Sequence, residues 1–501
     1  VRLWGYRVGE VPLAKLGDVK PGTHITLREN PYEYGTRHPV SKSLGCHVIG
    51  VAPPHCDPTD PVTLAAGIVK RFASDVPDNE FKMQFRNYVR KKVRKWLTPL
   101  SSEKYDLEDW LADTDYTESR KNELRKAWQE LPQMTKKKIM VVKMFMKDEF
   151  YDEVKHARLI NSRSDYFKVM VGPMFKRIER ELFKLPYFIK KIPVDQRSKY
   201  IHDLLWVPGG IYYSSDYKAY ETHFKADVMD VCEFELYKWM VPFDIEGAEF
   251  LNDIEGLKGT NYCVNRFISV LIEATRMSGE MNTSLGNGFA NLMFMKFVCH
   301  IQKIKCKGVV EGDDGLFRLS KQIDVTMFPR MGLNIEINEH RVLNEASFCG
   351  IIHPEETFEQ VTDPVRVMCR FGWSSSLYVR SSPRKLRDLA VAKALSYAYQ
   401  FPQLPIVRPW CNKILELCDF NVARIMSLTR HFEEHKAMIL RQAVAAYTQT
   451  VVVLPDGNEY KPGKIPAFNP SIYCRELVER RFGIEMSTQK LIENKINSMT
   501  C

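Results

Sequence analysis

The sequence predicts an α+β fold, with antiparallel strands gathered around one acidic hairpin and helices filling the flanks. Three observations point there. Residues 309–319, VVEGDDGLFRL, place Asp313 and Asp314 side by side between Gly312 and Gly315, with extended-favouring apolar residues on both arms. That is the pattern of a hairpin with a buried base and an acidic tip. Residues 81–96, FKMQFRNYVRKKVRKW, repeat Phe81, Phe85, Tyr88, Val89, Val93 and Trp96 at helical spacing. Beyond Ser382 helical patterns dominate, through Leu386, Leu389, Ala392 and Leu395, then 414–426 and 437–447, broken by Pro402, Pro405 and Pro409.

The 501 residues suffice for several domains or one large body with lobes. With 45% hydrophobic and 27% charged residues, the balance is that of an ordinary globular protein. The 72 Lys+Arg against 62 Asp+Glu leave a net charge of +10, an excess whose distribution matters more than its total. The 12 cysteines lack dense disulfide spacing and read as reduced core residues of an intracellular protein. No apolar run approaches the length of a membrane span, and no signal peptide opens the chain. The first residue is Val1 rather than Met, which suggests a fragment or a processed product, with any membrane anchor outside these residues.

Taken in order, the first 80 residues are turn-rich, punctuated by Pro53, Pro54, Pro58, Pro61 and Pro77. Cys46-His47 and His55-Cys56 offer four zinc-ligand types, but adjacent ligands are sterically awkward and the spacing is atypical, so they read as loop residues. The 81–96 helix carries seven basic residues and no acid between Lys82 and Lys95. Its Arg86, Arg90, Lys91 and Arg94 suit a nucleic-acid phosphate backbone; a membrane surface and a solvated face are the alternatives. Residues 101–135 read as helical, with Trp110, Leu124 and Trp128 facing a core. An apolar strand over 139–142 then leads to Lys147, and a second short strand carries Lys155 and Arg158 nearby. Cations on paired strands can clamp a triphosphate, Arg by its planar fork and Lys as a point charge; surface lysines on a hairpin are the plain alternative. Residues 167–182 read as a helix built on Phe175, Ile178 and Leu182.

A strand over 211–213 delivers Asp216 at its end, and Glu221 follows where a helix starts. If this strand neighbours the hairpin, Asp216 and Asp313 supply the shared carboxylates that two metal ions need. Mg²⁺ suits such a place, because it prefers carboxylate oxygens and keeps waters and substrate phosphates as its other ligands. Residues 276–294, RMSGEMNTSLGNGFANLMF, read as a loop from Ser278 and Gly279 into a helix capped by Asn282 and Thr283. Thr283, Asn287 and Asn291 fall on one polar stripe, able to read sugar hydroxyls without adding charge. A capped core helix with polar neighbours is the alternative. After the hairpin, 327–337 suggests a helix leading to Gly332 and a returning strand.

Asp216 after a strand, the SGEMNTSLGN loop and helix, and GDDG in a hairpin occur in this order, preceded by KDEF and VKHARLI. Together they resemble the viral RNA-dependent RNA polymerases of the positive-strand tombusvirus-like and flavivirus-like group, over about residues 147 to 349. The resemblance implies a closed right hand. Its N-terminal extension and fingers would span 1–208, with a second finger segment over 246–276. A palm of antiparallel sheet plus helices would span 209–245 and 277–360, and a helical thumb 361–501. It also implies template-directed RNA synthesis from ribonucleoside triphosphates by two-metal-ion nucleotidyl transfer, with two Mg²⁺ ions and Mn²⁺ as a substitute. By resemblance, Asp216 is the first palm carboxylate, Asp313 its metal-binding partner and Asp314 the supporting member. Lys147, Lys155 and Arg158 resemble the residues that hold the incoming nucleotide's phosphates. Glu221, Ser278, Thr283 and Asn287 stand where the family senses ribose and template. Residues 346–352 resemble a primer-grip strand, with Arg366 and Arg370 near the growing RNA. The implied partners are template and product RNA, nucleoside triphosphates and other viral replication proteins. The implied location is the host cytoplasm at membrane-associated replication sites, reached through a missing region or the basic helix.

Two positions depart from the family's pattern. Glu221 stands where relatives commonly carry Asp. The longer side chain moves its acceptor by about one C–C bond, more than the roughly 0.5 Å tolerance of a preorganised site. Weaker or rearranged ribose discrimination, or a compensating shift of the 221–224 backbone, is therefore expected. The second departure is that no Lys occurs between Lys321 and Lys385, which leaves Arg330, His340 or Arg341 to protonate pyrophosphate, His340 titrating nearest neutrality. Two other classes share part of this pattern. A reverse transcriptase has the same palm logic but usually an aromatic-X-Asp-Asp hairpin, where this chain has Glu311-Gly312-Asp313-Asp314. A non-enzymatic RNA-binding factor explains the basic helix but not the spaced carboxylates.

Overall fold

One helix organises the core. Thr283–Ile301 buries Leu285, Phe289, Leu292, Met293, Phe294, Phe297 and Val298 around its whole circumference, as a helix enclosed by protein must. Full burial stabilises each such side chain by about 1.5–3 kcal/mol relative to exposure, so tertiary packing dominates here over local propensity. Helices Lys82–Trp96, Asp165–Phe183 and Glu233–Met240 pack around it in one continuous cluster. Phe85 meets Phe294 and Phe297 at ring-centroid distances of 5.4 and 5.2 Å. The computed structural model describes residues 1–8, 19–28, 38–71, 75–114, 116–454 and 457–499.

Two sheets flank this core, giving a mixed α+β fold. A four-stranded antiparallel sheet runs in the order Ile335–His340, Ile211–Tyr217, Asp314–Leu319, Cys306–Glu311. A five-stranded sheet runs His24–Leu27, Ile268–Ile272, Asn261–Val264, Val142–Met146, Leu159–Arg163, with its third and fourth strands parallel. Towards the C-terminus, Pro383–Gln400, Val407–Leu417, Val422–Leu428, Glu434–Thr448 and Ile472–Phe482 form a second, helical cluster. The helical pattern expected over 414–426 is interrupted between Leu417 and Val422.

Local rules erred where a competing contact won. The strand expected over 139–142 begins at Val142, because Thr135 caps a short helix Lys136–Met140 through the Lys138 N–H. Trp128 is 47% exposed, whereas Trp110 and Leu124 are buried as expected. The helix expected to lead to Gly332 spans Met327–Arg330, and the expected returning strand is Ile335–His340. The helix stops at Gly332, whose φ of +75° is left-handed and whose missing side chain admits the Pro77 carbonyl. Residues 346–352 form a tight turn bridging Phe348 and Ile351 rather than a strand. The turn holds Cys349 and Gly350 at φ of +52° and +73°.

The N-terminal segment is hydrogen-bonded both to residues 372–381 and to the segment around Tyr151. Pro39–Lys42 leads into hydrogen bonds from Ser41 Oγ to the Ser374 carbonyl, 2.8 Å, from Lys42 Nζ to the Ser381 carbonyl, 3.0 Å, and from the Leu44 N–H to the Gly372 carbonyl, 2.9 Å. Ten residues on, the Pro54 carbonyl accepts from the Tyr151 N–H at 2.8 Å. The four Cys and His side chains of this segment do not converge. His47 Nδ1 meets Ser43 Oγ, His55 Nε2 meets Asp148, and Cys56 Sγ donates to Tyr6 Oη. Among the described residues no helix is long and apolar enough to cross a membrane.

Candidate active site

The hairpin forms as its sequence demands. Asp314 registers with Glu311, leaving Gly312 and Asp313 as a two-residue turn. Gly312 takes φ +60°, the left-handed first position that such a turn gives to glycine. Across the sheet Gly315 registers with Ser215, so one step further along Asp216 comes alongside Asp314. Asp216 lies inside its strand rather than after it, because the strand runs on to Tyr217. On its other side Asp216 registers with Glu336. Like charges facing each other across strands are destabilising, and this end of the sheet gathers several.

The electrostatics follow. Burial, then the charges of Asp313 and Glu336, push the Asp216 carboxyl above its usual range. Burial and the neighbouring Asp313 push Asp314 up to about 6, against a hydrogen bond from the Cys349 thiol. Among the described residues no three His, Cys, Asp or Glu side chains converge closely enough to hold an ion. The donor set still fits one. Carboxylate oxygens gathered at a single sheet end are what Mg²⁺ or Mn²⁺ would neutralise, and Asp216, Asp313 and Asp314 are the residues that would hold it.

The central helix reaches the hairpin from behind. A Cβ at Gly288 would lie 3.7 Å from the Gly312 nitrogen, so the helix approaches the turn closely there. One turn further, Asn291 donates from Nδ2 to the carbonyls of Gly312, Asp313 and Asp314 at 3.2, 3.0 and 3.0 Å. Its Oδ1 accepts from Tyr217 Oη at 3.4 Å. The polar stripe pointed to Asn291, but as a sugar reader. Glu336 and Cys349 left no signal in the sequence, since strand pairing and a turn far along the chain bring them in.

The other candidates divide. Arg276 ties two of them together: its N–H donates to the Glu221 carbonyl at 3.2 Å and its Nε to Asn287 Oδ1 at 3.0 Å. Glu221 sits in the turn Tyr220–His223 with its Oε2 buried and without a hydrogen-bond partner among the described residues. Ser278 Oγ bonds the Leu159 carbonyl at 3.0 Å, and Thr283 Oγ1 the Met277 carbonyl at 3.1 Å. Lys147 and Arg158 face each other, the Lys147 N–H donating to the Arg158 carbonyl at 2.8 Å. Glu149 lies between their cations, 3.7 Å from Lys147 Nζ and 3.5 Å from Arg158. Glu433, preceding helix Glu434–Thr448, lies 3.4 Å from Lys147 Nζ. Lys155 Nζ lies 5.5 Å from the Tyr151 ring centroid.

Other basic candidates are occupied elsewhere. Arg86 pairs with Asp230 and Glu235 at 3.0 and 2.7 Å, and Arg90 with Glu235 at 2.6 Å. These contacts fasten helix Lys82–Trp96 to Glu233–Met240. Arg94 lies 5.4 Å from the Trp239 ring centroid, and Lys91 is exposed. Arg366 and Arg370 both pair with Asp152. Arg330 pairs with Glu80, and Arg341 with Glu339. His340 bonds Ser214 Oγ at 2.9 Å, and burial lowers its pKa. It registers with Tyr212, whereas Asp216 registers with Glu336. That offset of four residues amounts to about 13 Å along the strand, so the structure does not bring His340 to the carboxylates.

An Asp-bearing strand beside an acidic two-residue turn, in a sheet backed by a buried helix, defines an α+β protein with a carboxylate centre. Residues 98–342 match the sequence model of the family described as viral RNA dependent RNA polymerase. The chain is also similar to an RNA-directed RNA polymerase of melon necrotic spot virus, 23% identical over 256 residues that cover 46% of this chain. The matched stretch covers 32% of that relative's length.

Proposed function

We propose that the chain carries out template-directed RNA synthesis from ribonucleoside triphosphates, replicating a viral RNA genome. The observation that carries this reading is the strand pairing of Gly315 with Ser215, which sets Asp216 beside the Asp313–Asp314 turn. In this reading the four-stranded sheet and central helix are the palm, over 209–245 and 277–360. Residues 1–208 and 246–276 are the N-terminal extension and fingers, and 361–501 the helical thumb.

Asp216, Asp313 and Asp314 hold divalent ions. Two bound Mg²⁺ ions, or Mn²⁺, would activate the primer hydroxyl and neutralise the leaving pyrophosphate. Lys147, Lys155 and Arg158 bind the triphosphate, which must displace Glu149 and Glu433 from the Lys147 and Arg158 cations. Asn287, with its Oδ1 held by Arg276, presents its amide donor to the ribose, and Glu221 offers a carboxylate still lacking a partner. Ser278 and Thr283 hold the loop and helix that carry Asn287. Lys91, Arg94, Arg366 and Arg370 face template or product RNA. Catalysis is mainly positioning and charge neutralisation. Work in the host cytoplasm at membrane-associated sites, with other viral replication proteins, completes the reading.

The test is nucleotide incorporation on homopolymer and hairpin templates, with and without primer, in Mg²⁺ and in Mn²⁺, with NTPs against dNTPs. Metal-dependent NTP incorporation that is lost in Asp313→Ala supports the reading. Incorporation of dNTPs alone, none at all, or full activity in Asp313→Ala overturns it.

A further inference from the structure

The acidic turn is held in an unusual way. In a two-residue hairpin the carbonyls of the turn take no part in the ladder, and here the central helix covers them, so water is kept from one side. Asn291 answers them from a position with 0% exposure. Its single Nδ2 lies within 3.0–3.2 Å of three successive carbonyls, those of Gly312, Asp313 and Asp314. Its Oδ1 takes the Tyr217 hydroxyl, from the residue following Asp216. Turned the other way, the amide would set an oxygen against three carbonyl oxygens, so both sets of contacts select the same orientation. At Gly288 the helix comes within van der Waals reach of the Gly312 nitrogen.

We propose that Asn291 is a positioning residue for the carboxylate centre. It fixes the backbone from which Asp313 and Asp314 project and ties that backbone to the Asp216 strand. The need for such a clamp is electrostatic: adjacent carboxylates repel and tend to open the turn before any cation binds. Asn291 touches no reacting atom and acts through the peptide units of the turn. The inference rests on reading the three aspartates as the catalytic centre.

Asn291→Leu tests it, since the side chain keeps the same branching and number of heavy atoms, in a bulkier form, and loses both donor and acceptor. Hydrogen exchange on the free variant should rise by about tenfold or more in peptides covering 309–319, with peptides of helix Asp165–Phe183 unchanged. Steady-state incorporation should show kcat reduced by about 10- to 100-fold, KM for NTP within about twofold, and activation shifted to higher Mg²⁺ concentration. Unchanged exchange at 309–319 overturns the proposal, as does kcat within about twofold of the parent chain. A loss of exchange protection throughout the chain would mean general unfolding. Asn291→Ser, smaller and still a donor, is then measured in the same two ways, and the same results support or overturn the proposal. The exchange measurement needs no activity. A parent chain that incorporates no nucleotide would therefore overturn the function and leave the clamp to be judged on exchange alone.

Discussion

Two clusters of charge flank the central helix, and the fold treats them in opposite ways. Beside Gly286, Arg276 and Glu233 form an ion pair with no exposure, extended through Glu280 to Arg163. Tyr237 Oη donates to Glu233 at 3.0 Å, and Asn261 Oδ1 accepts from Arg163 at 2.7 Å. Each charge there has a partner. Beside Gly288, the carboxylates of Asp216, Asp313 and Asp314 face one another and Glu336, and burial with the neighbouring carboxylates raises Asp216 and Asp314, outweighing the lowering by Lys218 and by the Cys349 thiol. The first cluster pairs its charges within the protein, although Glu233 Oε1 and Arg276 Nη1 have no hydrogen-bond partner among the described residues. The second is like charge gathered at one end of a sheet, the arrangement that marks a candidate site.

Breaking each cluster should therefore have opposite effects. The largest is on chemistry: Asp313→Ala should reduce incorporation by about 1,000-fold or more while RNA binding and melting temperature hold. Next is the closed cluster. Arg276→Met leaves Glu233 buried and unpaired and should cost about 3–5 kcal/mol in chemical denaturation, with much of it restored by a second change, Glu233→Gln. Equal stability of Arg276→Met and the parent chain would erase the contrast.

A smaller effect concerns Glu433. Glu433→Gln removes one competitor for Lys147 and should lower KM for NTP by about two- to fivefold at low salt, the gain fading as salt screens the pair. The last concerns Asp314→Asn. A carboxyl at about 6 in the folded chain and near 4 when unfolded binds more protons when folded, so stability falls as pH rises between those values. The variant should thus melt higher than the parent at pH 7.5, and the advantage should vanish near pH 4. Mg²⁺ should stabilise the parent more than the variant.

Local signals made part of this legible. The hairpin, the helices Lys82–Trp96 and Thr283–Ile301 and the C-terminal helices rest on periodicity and turn chemistry within a few residues, and the structure has all of them. What escaped depends on residues far apart in sequence. Arg86 and Arg90 carry the look of a nucleic-acid face because Asp230 and Glu235 lie about 145 residues away. Asn282 looks like a helix cap but makes no capping bond and gives its amide to Tyr237 Oη at 3.1 Å. Asn291 falls on the expected stripe, yet its partners are visible only once the hairpin is folded against the helix. Glu336 joins the acidic group through register alone.

The N-terminal strap has a mechanical meaning. It holds the 372–381 segment through Ser41, Lys42 and Leu44, and the Tyr151 side of the basic hairpin through Pro54. Separating those two parts means peeling several backbone bonds in sequence, a slow and collective event. The two parts also touch directly, Asp148 accepting from the Ser376 N–H at 2.8 Å and Asp152 pairing with Arg366 and Arg370, so parting them breaks these contacts together with the strap.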